Sequence, residues 1–402
     1  MRLLRLQLFD YRNFHRLDLE LPPGPAVFIG DNAQGKTNLL EAVYLLATMR
    51  SLRAETESQL IRRDSPEAEM PAARVLAHVE TAGGPLKVEV ALMARPGPYG
   101  LIAGKVVRVN GIPKRLSDAV GRLTAVLFTA EDLGLIGGSP SLRRRYLDIT
   151  LAQVEQPYAA ARQRFERVLL QRNHLLKRIR EGAARPEELS FWDDELCKDG
   201  GFIFQRRAGA VHELDSLARQ VHASLARDEE LALLYRPRLE GSLAGLARAG
   251  PQAAAQAYAA TLKGSLSRDI AAGMTLLGPH RDDLLFTLNG VPAAGYASRA
   301  QQRTIALSLR LAEARFLLAC RGDSPILLLD DVLSEMDAAR RRSVLASLDE
   351  YEHILVTGSD LDRFPPPFLS RAALFAVEAG SLRPLLEEAA GSPTRPSRTD
   401  EA

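Results

Sequence analysis

Residues Gly30-Asp31-Asn32-Ala33-Gln34-Gly35-Lys36-Thr37 have the spacing G-x-x-x-x-G-K-[ST]. The glycines of such a loop let backbone N–H groups turn inward around a β-phosphate. Lys36 reaches the β and γ oxygens, the Thr37 hydroxyl ligates Mg²⁺, and the helix that follows adds positive potential at its N-terminus. The chemistry implied is binding of a nucleoside triphosphate, with ATP and Mg²⁺ as the expected cofactors. A loop of this kind needs an acidic partner, and the run Ile326-Leu327-Leu328-Leu329-Asp330-Asp331 supplies one at the end of an apolar strand. Asp330 is placed to hold Mg²⁺ through water, and Asp331 to orient or deprotonate an attacking water. Lys36 and Asp331 are therefore the expected catalytic residues, and Thr37 and Asp330 the expected metal ligands.

Two further groups have types that suit phosphate. Ser298-Arg299-Ala300-Gln301-Gln302 opens an apolar helix, so Ser298 is either a plain N-cap or part of a second anion site. If one protomer presents Ser298 and Gln301 to the γ-phosphate held by another, ATP joins a dimer. Ser334-Glu335-Met336-Asp337 suits a loop crossing that joint. Arg12 and Asn13 lie close to the phosphate loop in sequence and are read either as nucleotide contacts or as a hairpin turn. Arg143–Arg145 follow a Gly-Ser-Pro turn and either bind phosphate or brace two lobes. His280, Asp282 and Asp283 read as an ion-paired lock between lobes rather than a metal cluster.

The elements that must position these residues follow from periodicity. Leu4, Leu6 and Leu8, then Leu17, Leu19 and Leu21, alternate with strand period around a loop at Asp10–Arg16. Ala26–Ile29 is a continuous apolar strand before the phosphate loop, and 38–49 has helical spacing. Short β-like runs at 75–79, 86–93, 106–110 and 125–128 predict an antiparallel layer. From Pro140 to about Ile270 the pattern is helical almost throughout, with two antiparallel helices joined around Gly182–Pro186. Strand signals return at Met274–Leu277, Leu284–Leu288, Ile326–Leu329 and Ile354–Thr357, with helices at 300–320 and 338–350. The predicted fold class is α/β, with one lobe from 1–136 and 274–386, a helical insert over 137–273, and a disordered tail over 387–402.

Composition narrows the classes further. At 402 residues, 46% hydrophobic and 25% charged, the chain has ample length for two or more domains without staples. Two cysteines exclude a disulfide scaffold, and the charged start MRLLRLQLFD lacks the apolar core of a signal peptide, so a cytoplasmic location is expected. The apolar stretch 305–320 is broken by Arg310, Glu313 and Arg315, so no membrane span is expected. The net charge of +2 does not by itself imply a nucleic-acid partner. Between Arg162 and Arg180, however, seven basic residues face one acid, Glu166, and this helix either tracks a duplex backbone or is neutralised by acids of the insert.

The order of these motifs resembles the ABC-type ATPase heads: a phosphate loop, a long helical insert, Ser-x-x-Gln at a helix start, an Asp-Asp strand, then Ser-Glu-x-Asp. Flanking stretches are similar to the RecF family: Tyr11–Phe14, Asn32–Ala42, Glu131–Leu133, Gly138–Pro140, Arg143–Arg145 and Gly278–Leu284. The resemblance implies an ABC-type head made of an α/β ATPase core with an antiparallel layer and an inserted helical lobe. It also implies ATP-driven dimerisation, DNA binding by the closed dimer and slow DNA-stimulated hydrolysis. RecO and RecR are the implied partners in loading RecA at single-strand gaps, in DNA repair, replication and SOS induction. Ala300 stands where the family signature has glycine. Asp331 stands where ABC transporters carry Glu, and Thr357–Asp360 where they carry His, which implies a slow ATPase. A transporter motor and a chromosome-tethering head of the SMC type are the competing readings.

Overall fold

The computed structural model describes residues 1–63, 71–97, 100–239, 250–333, 336 and 338–385. The expected tail at 387–402 lies outside the described residues, as do Ser334, Glu335 and Asp337.

The first layer is a six-stranded antiparallel sheet of β1 (Arg2–Tyr11), β2 (Phe14–Glu20), β4 (Ala72–Thr81), β5 (Gly84–Gly97), β6 (Gly100–Val109) and β7 (Ile112–Lys114), in the order β2-β1-β4-β5-β6-β7. Its first hairpin is tighter than the alternation predicted. Tyr11 pairs with Phe14, so Arg12-Asn13 alone make the turn, and Leu6 faces Leu19 while Leu8 faces Leu17. This register puts the leucines on one face, where they are buried against the helix α1 (Lys36–Thr48).

The second layer is a sheet of β15-β14-β3-β13-β12-β8, formed by β3 (Gly24–Ile29), β8 (Ala125–Phe128), β12 (Ile326–Asp330), β13 (His353–Gly358), β14 (Ala373–Glu378) and β15 (Ser381–Pro384). All neighbours are parallel except β14 and β15. Parallel strands covered on both faces need continuous apolar runs. Accordingly, every residue of β12 and of β13 is buried. The phosphate loop leaves the C-terminal end of β3, and Asp330 leaves the same end of β12, two strands away.

The short helices α2 (Leu116–Ala119) and α3 (Leu133–Gly137) lead to α4 (Pro140–Val154), α5 (Gln156–Arg180), α6 (Ser190–Leu225) and α7 (Pro251–Ala272). A second region of core surrounds them, and it also contains Leu284, Phe286 and Leu288 of β10 (Asp283–Leu288). Two corrections arise here. Leu231–Arg236 is a strand, β9, that pairs antiparallel with β10, inside a stretch read from sequence as helical. Its partner is supplied from beyond α7, which a local pattern cannot show. Met274–Leu277 is not a strand, because side chains take its backbone groups: Asn173 Oδ1 accepts from the Thr275 N–H at 2.7 Å, and Asp269 Oδ1 from the Leu276 N–H at 3.1 Å.

After β11 (Val291–Pro292) and the short α8 (Ala293–Tyr296), helix α9 (Arg299–Arg321) runs between the helical core and the parallel sheet. Ile305, Leu309, Ala312 and Phe316 face the helical core, and Leu307, Leu311, Ala314 and Leu317 face the sheet. Helices α10 (Ala338–Ser347) and α11 (Pro366–Leu369) flank β13 in sequence, and β14 and β15 follow. No helix among the described residues is long and apolar enough to cross a membrane.

Candidate functional site: a phosphate loop and its acidic strand

The loop Gly30–Gly35 is clamped from several sides. Gly30 has no room for a side chain, since a Cβ would stand 2.3 Å from the Val377 carbonyl oxygen. Gly35 has φ of +118° and lies against Asn13. Asn13 Nδ2 donates to the Gln34 carbonyl at 2.9 Å, and Asn13 Oδ1 accepts from Asn38 Nδ2 at 2.8 Å. From the turn between β14 and β15, the Ala379 N–H donates to Gln34 Oε1 at 2.6 Å and the Gly380 N–H to the Gln34 carbonyl at 3.1 Å. Lys36 Nζ donates to the Gly30 and Asp31 carbonyls at 2.6 and 2.8 Å, which arches the ammonium over the loop.

Opposite Lys36, three elements meet. Thr37 Oγ1 donates to Asp330 at 2.9 Å (Oδ1) and 2.8 Å (Oδ2), and Thr357 Oγ1 donates to Asp330 Oδ1 at 2.9 Å. Asp330 and Thr357 are register partners on β12 and β13. Burial pushes the Asp330 carboxyl above its ordinary pKa, against the hydroxyls of Thr37 and Thr357 and the Arg53 guanidinium, which act the other way. A hydroxyl and a buried carboxylate side by side fit Mg²⁺, which takes few protein oxygens and leaves its other positions to water and phosphate. Asp331 has φ of +54°, and its N–H donates to Thr357 Oγ1 at 2.9 Å. That left-handed backbone costs a non-glycine residue of order 1–3 kcal/mol, and it occurs at the position expected to handle water.

Arg12 also has a positive φ, +55°. Its guanidinium forks the buried Glu41 carboxylate, with both bonds at 2.8 Å, and reaches the Gln59 carbonyl at 3.1 Å. Ser51 Oγ completes Glu41 from the far side at 2.5 Å. Of the two turn residues, Asn13 thus holds the phosphate loop directly, and Arg12 holds α1 behind it. Arg53 Nη2 donates to Glu131 at 2.8 Å and stands 3.8 Å from Asp330. Burial opposes charge on Glu131, but its own backbone N–H, Thr129 and Arg53 overcome that and keep its pKa below the ordinary value.

Ser298 and Gln301 form a reciprocal capping box: Ser298 Oγ accepts from the Gln301 N–H at 3.2 Å, and Gln301 Oε1 from the Ser298 N–H at 2.8 Å. Gln301 Nε2 then donates to Glu229 at 3.0 Å. None of these bonds reaches the phosphate loop of the same chain. Ser298, Arg299 and Ala300 are exposed, so the start of α9 is presented outward.

The description RecF/RecN/SMC N terminal domain matches residues 2–358. The DNA replication and repair protein RecF of Roseiflexus castenholzii is 41% identical over 96% of this chain and all of its own length. This chain belongs to the RecF family. The RecF of Staphylococcus aureus is 35% identical over 95% of the chain and all of its own length. Among solved structures, a recombination mediator protein RecF-ATPrS of the RecFOR pathway superposes with a TM-score of 0.83 at 29% identity, covering 95% of this chain and 98% of its own. A RecF-ATP structure gives 0.82 over 96% and 97%. An SmcHead at 14% identity and a TM-score of 0.51 shares the fold.

The structure therefore joins Lys36, Thr37, Asn13, Asp330 and Asp331 around one loop and leaves Ser298 and Gln301 bonded to each other and to Glu229 instead. Sequence reasoning missed Glu41, Arg53, Gly380 and the role of Thr357. Only Thr357 had a signal, as the register partner of an aspartate in a neighbouring apolar run. The three arginines after the Gly-Ser-Pro turn brace neighbouring segments: Arg143 forks Asp283 at 2.7 and 3.1 Å, Arg144 reaches the Asp282 carbonyl at 2.7 Å, and Arg145 the Ser51 carbonyl at 2.7 Å. Asp282 accepts from Arg207 at 3.1 Å and from the Tyr235 hydroxyl. On α5, Arg162, Arg164 and Arg172 are paired with Asp148, Asp199 and Asp193, so part of that helix's positive charge is neutralised inside the protein.

Proposed function

We propose that this chain is an ATP-switched DNA-binding protein of recombinational repair and replication. The contact of Thr37 with Asp330 carries the reading, because it brings the phosphate loop to the acidic strand that a triphosphate site requires. The backbone of Gly30–Lys36 wraps the β-phosphate, and Lys36 exchanges its two carbonyl partners for β and γ oxygens. Thr37 and Asp330 would hold Mg²⁺, which would screen the phosphate charge. Asp331 orients a water on the γ-phosphorus and takes its proton as the bond to the β-phosphate oxygen breaks, releasing ADP and phosphate.

The γ-phosphate shell is completed by Ser298 and Gln301 of a second copy, so ATP and not ADP closes a dimer, and the closed dimer grips DNA. Turnover is slow and DNA-stimulated, since Asp331 is a short carboxylate and Ala300 limits backbone approach at the joint. Within that cycle the protein acts with RecO and RecR to load RecA at single-strand gaps, in the cytoplasm. The test is sizing and DNA mobility shift with no nucleotide, ADP and ATP in parallel. ATP alone is expected to give both the dimer and the shifted DNA; equal behaviour with ADP overturns the switch.

A further inference from the structure

Between the two lobes, at the end of α1 remote from the phosphate loop, lies a cavity of about 430 Å³. That volume is within the range of pockets for small organic ligands. Lys36 and Thr48, the latter at its lip, are twelve positions apart on α1, roughly 18 Å at 1.5 Å per residue, and no residue of the loop Gly30–Thr37 lines it.

The lining is strongly basic. Arg50, Arg144, Arg145, Arg162 and Arg207 contribute five guanidiniums, against the carboxylates of Asp148 and Glu166. Those two acids are committed: Asp148 accepts from Arg207 at 2.7 Å and from Arg162 at 2.8 Å, and Glu166 pairs with Arg162 at 2.5 Å. Even with Asp282 counted behind Arg207, an excess of two positive charges remains. Among the described residues Arg144 is held only by the Asp282 carbonyl, and burial together with the nearby Arg207 lowers its pKa. A guanidinium in that setting is stabilised by an incoming anion.

Two buried polar atoms of the lining have no hydrogen-bond partner: Arg145 Nε, a donor, and His280 Nδ1. His280 Nε2 sits 3.0 Å from the Thr275 carbonyl, so Nε2 carries the ring proton and Nδ1 presents a lone pair. Burial, with Arg281, Arg144 and Arg162 nearby, pushes the imidazole down to about 4, so it is neutral at pH 7. Arg145 and His280 both belong to the lining, which thus brings together guanidinium donors for an anion and a ring acceptor without a partner among the described residues. Buried polar groups left unpaired are costly, and an occupant carrying both features satisfies them.

We infer that this interlobe cavity binds a small phosphorylated, hydroxyl-bearing ligand of the sugar-phosphate class, its phosphate on Arg144, Arg145 and Arg50 and a hydroxyl on His280 Nδ1. A ligand there touches the end of α1 from one lobe and α4 and α5 from the other, so it stabilises one relative placement of the lobes.

The probe is ribose 5-phosphate, titrated calorimetrically into the full chain with its phosphate loop saturated by Mg-ADP. One saturable site per chain is expected, weakened about tenfold or more in Arg144→Gln, with inorganic phosphate binding more weakly than the sugar phosphate. Arg50→Gln, at the exposed rim, is expected to weaken it less and carries the test if Arg144→Gln does not fold by circular dichroism. Absence of saturable binding overturns the inference, as does affinity unchanged in the folded variants or phosphate binding as tightly as the sugar phosphate. A short single-stranded oligonucleotide that displaces the probe also overturns it, in favour of a nucleic-acid backbone.

Discussion

Thr37 Oγ1 lies 2.8 Å from Asp330 Oδ2 across 293 residues of chain. The first residue lies in the opening turn of α1 and the second closes β12, and both stand at the C-terminal edge of one sheet. This meeting places a hydroxyl and a carboxylate where a triphosphate and its cation belong, and it sets the terms for the predictions below.

Among the described residues the Lys36 ammonium donates only to the Gly30 and Asp31 carbonyls, so Lys36→Ala removes a charge without opening the core. A hydrogen bond to a charged group contributes about 1.5–3 kcal/mol, so ATP affinity falls at least tenfold. Isothermal titration measures it; wild-type affinity in the variant assigns the phosphate elsewhere.

Asp331→Asn keeps shape and hydrogen bonding but loses the carboxylate proposed to take the water's proton. Hydrolysis is expected to drop by about 10²–10⁴-fold while ATP-dependent dimerisation persists. Single-turnover release of phosphate, alongside sizing, separates the two effects. Unaltered turnover moves the role to another group, with Glu335, outside the described residues, next.

Ser298→Arg puts a long side chain into the outward face of α9. In analytical ultracentrifugation with a non-hydrolysable ATP analogue it stays monomeric, with monomer ATP affinity near wild type. Because Ser298 also caps α9, Ser298→Ala is the control: it loses about 1 kcal/mol of stability from the cap but leaves room for the partner. A Ser298→Arg protein that dimerises normally removes the composite site.

His353 is fully buried in β13 with neither ring nitrogen hydrogen-bonded among the described residues, and burial lowers its pKa to about 4. The unfolded chain takes up the proton first, near pH 6.5, so stability is full above that pH and is lost as pH falls toward 4. The loss is on the order of 3 kcal/mol at 1.36 kcal/mol per unit. His353→Leu should flatten the urea stability profile between pH 7 and 4.5 and raise stability at pH 5. A profile as steep as wild type would show that His353 is not the group that titrates.

The sequence alone determined the phosphate loop, the Asp-Asp strand and the capping Ser298, because each is written within a few residues, whereas the strand at 125–128, expected in the antiparallel layer, pairs parallel with β12. A loop with G-x-x-x-x-G-K-T spacing between an apolar strand and a helix needs no distant partner to be recognised. Only tertiary structure decided what closes around it. Asn13 and Gly380 clamp Gln34 from two separate hairpins, Arg12 turns to Glu41 behind the loop, and Thr357 joins Asp330 through the register of β12 and β13. The strand at Leu231–Arg236 and the irregular segment at Met274–Leu277 were misread for the same reason. Their hydrogen-bond partners, β10 for one and the Asn173 and Asp269 side chains for the other, arrive only once the chain has folded. Backbone pairing and charge pairing are contacts in space, and a one-dimensional pattern reports them only when both partners lie within one element.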